Sequence, residues 1–159
     1  MVWYGAWKIL SVVVLTSIAI TWSTFSSKTY PYTIDQPSSF QQIVISNGGE
    51  VRDAFFPGLG SFTTNVNIYG IRAGVLRDER EHHGNRNDQI SHPCGSIRIM
   101  GQRQTLLCAS FHGLAGKWTI EQVVFPANGY MWHLTASSDL RYLSLRGIMH
   151  RMLRSFHTG

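Results

Sequence analysis

Of 159 residues only two are cysteine, Cys94 and Cys108, and lysine is confined to Lys8, Lys28 and Lys117. Each shortage narrows the field. The two cysteines have neither CxxC spacing nor a second thiol pair beside them, which argues against a cysteine-built metal site. The formal net charge of +5 rests mostly on arginines scattered along the chain. Without dense basic clusters interleaved with aromatics there is no groove for nucleic acid. Catalytic signatures are missing as well. Gly58-Leu-Gly-Ser61 is not a GxSxG elbow, Cys108 stands in an apolar strand context with nothing to activate it, and no glycine-rich phosphate loop, HxxxH or HExxH occurs. The expectation is a protein that is not an enzyme. No internal repeat is visible.

One long apolar run is present. Lys8 is followed by Ile9-Leu-Ser-Val-Val-Val-Leu-Thr-Ser-Ile-Ala-Ile-Thr-Trp22, free of charge and preceded by the apolar Val2–Trp7. It reads as the hydrophobic helix of a signal peptide or of a single-pass membrane anchor, and either one exports the rest of the chain. No small-x-small cleavage site follows, and Trp22 and Phe25 crowd the place for one, which favours retention as an anchor. Trp3, Tyr4, Trp7 and Trp22 would supply interfacial aromatics. No cysteine lies in or just after the run, so lipid attachment at a lipobox is ruled out. The organisation expected is therefore residues 1–25 as signal peptide or anchor, 26–29 as a polar linker, and 30–159 as one extracytoplasmic domain.

Within that domain the front half is rich in strand signals. Tyr30–Asp35, Phe40–Ile45, Val51–Phe56 and Phe62–Tyr69 are short β-prone runs, punctuated by Pro37, Ser46-Asn-Gly-Gly49 and Pro57-Gly-Leu-Gly60. Arg77–Asp88 is strongly polar and reads as an exposed loop. Ser96–Met100 and Gln104–Cys108 then fold back around Gly101, and a turn centred there sets Cys94 across from Cys108. In an exported domain this favours a disulfide, worth about 3 kcal/mol for a loop of roughly 15 residues. The alternative is two separate thiols, with Cys108 buried.

The C-terminal region is the most legible. Trp118–Phe125 and Tyr130–Ala136 flank Asn128-Gly129, the dipeptide of a two-residue type I′ hairpin. Pairing about that turn sets Phe125 opposite Trp132 and Val123 opposite Leu134 on a core face, with Val124 opposite His133 and Gln122 opposite Thr135 on the other. Ser137-Ser-Asp139 offers helix N-caps, and Leu145, Ile148, Met149, Met152, Leu153 and Phe156 recur at helical spacing as one buried stripe. Arg146, His150, Arg151, Arg154 and His157 fall away from it. That basic face is either a solvated, dipole-matched surface or a docking surface, for which Arg146, Arg151 and Arg154 are the candidates.

The order of these elements resembles the Mog/PsbP-like superfamily from Tyr30 to Phe156. The resemblance is carried by Asp35-Gln-Pro-Ser-Ser-Phe40, Asp53-Ala-Phe-Phe56, Gly60–Ile68, the Val124–Tyr130 hairpin, and the strand from Tyr130 leading into a helix that ends Arg154-Ser-Phe156. It implies an α+β fold, an antiparallel β-sheet flanked by helices in an α/β/α sandwich. Its members include extrinsic photosystem II subunits, Ran-binding import factors and bacterial envelope proteins. Where they usually carry a clearer middle helix, this chain has its charged, histidine-bearing loop. The resemblance implies an accessory role rather than catalysis.

Two functional readings follow. The first is a non-catalytic, membrane-anchored extracytoplasmic accessory or assembly subunit that contacts lipid through its N-terminal segment and docks on a membrane protein complex as its protein partner. The second is a small-ligand or divalent-metal-binding envelope protein built on His82, His83 and His92, whose neighbours Glu79, Glu81 and Asp88 are also potential ligands. His82 and His83 are adjacent and diverge on either a helix or a strand. Otherwise no cofactor is expected.

Overall fold

The computed structural model describes residues 19–47, 50–58, 64–74, 92–113 and 116–159. The hydrophobic run up to residue 18 and the loop carrying His82 and His83 lie outside them. Among the described residues no helix is long and apolar enough to cross a membrane.

Among the described residues ten strands make two sheets. A seven-stranded antiparallel sheet has the order β3-β4-β5-β9-β8-β7-β6, from β3 (Gln41–Asn47), β4 (Glu50–Phe56), β5 (Asn65–Arg72), β6 (His92–Ile99), β7 (Gln102–Gly113), β8 (Gly116–Ala127) and β9 (Tyr130–Asp139). A small sheet of order β1-β2-β10 joins β1 (Trp22–Ser26), β2 (Tyr32–Pro37) and β10 (His157–Thr158). A 3₁₀ segment, Leu140–Leu145, leads into α1 (Arg146–Ser155).

The hairpin registers as its sequence dictates. Ala127 pairs with Tyr130, Phe125 with Trp132, Val123 with Leu134 and Val124 with His133. Asn128 and Gly129 both have positive φ, 47° and 76°, as a type I′ turn requires. Val123, Phe125, Trp132 and Leu134 are buried, and Val124 on the opposite face is exposed. Gly70 of β5 lies across from Trp132, and a Cβ there would come within 3.0 Å of the indole and of the Tyr130 ring. Any larger residue would press on both rings.

Helix α1 and the small sheet cover this apolar face. Phe156 is the hub, with ring centroids 5.2 Å from Tyr32, 5.0 Å from Trp132 and 5.8 Å from Phe125. Met149, Met152 and Leu153 are buried beside it, while Leu145 and Ile148 pack at its margin. The stripe read from the sequence is therefore the helix's buried side.

Four expectations are corrected. Trp22–Ser26, assigned to the end of the anchor and the start of the linker, form β1, paired with β2 from Trp22↔Pro37 to Ser26↔Thr33. Trp22 and Phe25, set among serine and threonine, suit an edge strand as well as they suit an interfacial belt. Ser137–Asp139 are not caps. They extend β9 and are buried, and α1 starts at Arg146 after Leu145 without a side-chain cap. Cys94 is not directly opposite Cys108, because the tight turn is Met100-Gly101 and a bulge at Pro93/Gly95 shifts the register, so that Cys108 faces His92. The two sulfurs are bonded nonetheless, with Cα atoms 5.7 Å apart. Finally, among the described residues α1 is the one α-helix, so the flanking layer seen here is a helix plus a small sheet on one face.

Candidate functional site

Asp53, Glu121 and Asp139 are buried, and the first two gather side-chain donors around them. In β8 the alternation that points Val123 and Phe125 inward also points Glu121 inward. Arg146 and His150 are spaced i, i+4 on α1, and so meet it together. Arg146 donates from Nε to Glu121 Oε1 at 2.9 Å, and its Nη2 bonds the same oxygen. His150 Nε2 lies 2.5 Å from Oε2. A carboxylate only accepts, so that ring nitrogen carries a proton. Burial by itself would raise the Glu121 carboxyl. The hydrogen bonds from His150 and Arg146, reinforced by their charge, outweigh burial and hold it down to about 2. At neutral pH Glu121 is thus an ionised anchor with both oxygens occupied. It has no proton to give and no free oxygen to act as a base.

Asp53 is held in another way. It is buried in β4, and its Oδ2 accepts from Ser27 Oγ at 2.5 Å and from the Tyr32 hydroxyl at 2.8 Å, while Oδ1 accepts from Gln42 Nε2 at 3.1 Å. Burial, and then the charge of Asp53, push the Tyr32 phenol far above its ordinary range, so it stays a donor. The nearby Tyr30 phenol is also raised, chiefly by burial, and donates to the Val51 carbonyl at 2.5 Å. Asp53 therefore ties the β1–β2 turn and β2 to β3 and β4. Asp35, in β2 of the small sheet, accepts from Thr24 Oγ1 at 2.7 Å near the surface. Asp35, Asp53 and Glu121 each have separate partners and form no pair with one another.

The sequence-proposed site residues divide as follows. Cys94 and Cys108 are bonded to each other. His92 is exposed at the start of β6, and His82 and His83 lie outside the described residues. Among the described residues no group of three His, Cys, Asp or Glu is placed to hold a metal ion. Of the basic face, Arg146 is committed to Glu121 and Arg151 stacks on the Trp22 indole, with Cζ 3.9 Å from the ring centroid. Arg154 is exposed in the last turn of α1, where a cation suits the helix dipole. His133 stacks on Tyr69, with centroids 4.5 Å apart and planes 8° from parallel.

The Glu121–Arg146–His150 cluster was not read from the sequence, although its signals were present. Glu121 shares parity with two core residues, and the two bases stand one helical turn apart.

No family model and no curated protein matches the sequence. The fold does match solved structures. The solution structure of cyanobacterial PsbP from Synechocystis sp. PCC 6803 superposes with a TM-score of 0.53 at 12% identity, covering 94% of this chain and 99% of that one. The fold is PsbP-like. A crystal structure from Bacteroides thetaiotaomicron gives a TM-score of 0.57 at 11% identity, over 86% of this chain and 48% of that one, so this chain spans about half of that protein. LpqN, involved in cell envelope biogenesis of Mycobacterium tuberculosis, is similar at a TM-score of 0.49 and 14% identity, covering 88% and 92%. At such identities the likeness concerns fold alone.

Proposed function

We propose that this PsbP-like chain is a non-catalytic accessory or assembly subunit, anchored in a membrane by its N-terminal segment and docking on a membrane protein complex from the extracytoplasmic side. The observation that carries the reading is the Cys94–Cys108 disulfide. Disulfides persist in oxidising compartments, and this one follows in sequence an apolar run suited to export. A non-catalytic role is supported by Asp53 and Glu121, buried acids whose oxygens are engaged by groups of their own fold. The PsbP-like fold supports an accessory role by analogy.

Docking is assigned to the exposed side of α1 around Arg151 and Arg154, with Arg146 set aside because it neutralises Glu121. Trp22, beneath Arg151, follows the apolar run with no long linker, and the Ser38 amide donates to the Thr21 carbonyl at 2.8 Å. The anchor thereby holds this surface close to the bilayer and raises its local concentration there.

The test is purification of the full-length protein from its native membranes in mild detergent, reading intact mass and quantified co-purifying chains. A partner at fixed stoichiometry, with residues 1–22 retained, is the expected result. A cleaved chain recovered alone would overturn the anchored-subunit reading.

A further inference from the structure

The two edges of the large sheet are treated differently. The outer strand β6 carries Pro93, a bulge at Cys94, the disulfide to β7 and Arg98. These features discourage another strand from pairing there. At the opposite edge β3 reads Gln41-Gln-Ile-Val-Ile-Ser-Asn47, seven residues without charge, proline or glycine, and its register with β4 is regular from Gln41↔Phe56 to Asn47↔Glu50. Ile43 and Val44 point to opposite faces of the sheet and are 42% and 55% exposed. Among the described residues no strand pairs with the outer side of β3. A regular, uncharged edge rich in β-branched residues is a template for strand addition.

We propose that β3 pairs with β3 of a second copy of this chain, antiparallel about a two-fold axis at Val44. The sequence is self-complementary in that register. Val44 meets its own copy, Ile43 meets Ile45, and Gln42 meets Ser46, so apolar residues oppose apolar ones and polar residues oppose polar ones, as an isologous interface requires. Charge points the same way. The chain carries a formal net +5 and would repel a copy through its basic surfaces, whereas β3 brings no charge to the contact. Of the charges on β4, Asp53 opposite Val44 is buried and bonded to Ser27, Tyr32 and Gln42, and Arg52 and Glu50 are paired with each other at 2.9 Å. The joined sheets run continuously through both copies.

Oxidative cross-linking of the full-length chain tests this. The native cysteines are bonded to each other, so Val44→Cys supplies a single free thiol. Residues facing each other across an antiparallel pair have Cα atoms about 4.5–5.5 Å apart, within disulfide reach. In Gln41→Cys the two thiols stand six residues apart along the strands, roughly 20 Å, and Arg98→Cys probes the guarded edge. The expected result is a Val44→Cys dimer forming at least about tenfold faster than either control, since proximity sets the effective thiol concentration. Val44→Lys, with an unchanged circular dichroism spectrum, should turn the wild-type dimer into a monomer in sedimentation at micromolar concentration. Equal cross-linking of the three variants, or a wild type that sediments as a monomer, would overturn the proposal. Self-association that survives in Val44→Lys would also overturn it.

Discussion

Asp53 and Glu121 are both buried, both ionisable and both drawn onto the covered face of the same sheet, yet the chain neutralises them by opposite means. Asp53 is surrounded by neutral donors, two hydroxyls and an amide, which link the small sheet to β3 and β4. Glu121 is met by two basic groups from α1, which link the helix to β8. Asp53 belongs to a sealed joint between sheets, and Glu121 to a seam whose arginine is half exposed. Buried acids invite a catalytic reading, and Asp53 and Glu121 are instead explained by the elements they fasten.

Removing Asp53 should have the largest effect. Asp53→Ala leaves the Tyr32 hydroxyl, the Ser27 hydroxyl and the Gln42 amide without their acceptor in a dry site, and should cost about 4 kcal/mol in urea unfolding. A loss below about 1 kcal/mol would show that water replaces the carboxylate and that the joint is not sealed.

Glu121→Gln should cost less, about 2 kcal/mol, because Arg146 can turn to solvent once its partner is neutral. It should also change the acid limb of stability. The Glu121 carboxyl titrates near 2 in the folded chain against 4.5 ordinarily, so its contribution is complete above about 4.5 and is lost as pH falls through about 2. Between those values the wild type should lose stability more steeply than Glu121→Gln. Identical acid limbs in the two proteins would remove the ionic account of the seam.

Tyr32→Phe tests the contrast more finely. It deletes one neutral donor to Asp53 and leaves the ring stacked on Phe156, so about 1 kcal/mol should be lost, with no change in the pH profile between 5 and 9. The smallest signal belongs to metal. With Asp53 and Glu121 engaged by their own partners, zinc calorimetry on the full-length protein should give no saturable heat, and His82→Ala/His83→Ala should match the wild type. Saturable binding lost in the double variant would restore the histidine-loop reading.

How much of this was legible in the sequence follows from range. The Asn128-Gly129 turn fixes its own register, so every pair of the β8–β9 hairpin named in advance is found, and the helical spacing from Leu145 to Phe156 gives the buried side of α1. The Cys94–Cys108 bond was also within reach, although the bulge that positions Cys94 was not, since one extra residue leaves no mark in composition. The partners of Asp53 and Glu121 were harder. Ser27, Tyr32 and Gln42 come from three separate segments, and only the fold brings them to one carboxylate. Strand β1 was missed because its pairing partner, β2, supplies the context that an apolar run cannot show by itself.

The most direct test of the account is to purify three forms of the full-length protein from native membranes at a temperature where all are folded: wild type, Glu121→Gln and Arg154→Glu. If the buried acids serve the fold and the outer side of α1 serves docking, Glu121→Gln should retain the partner at wild-type stoichiometry while Arg154→Glu loses it. Loss of the partner in a natively folded Glu121→Gln, with Arg154→Glu unaffected, would contradict it.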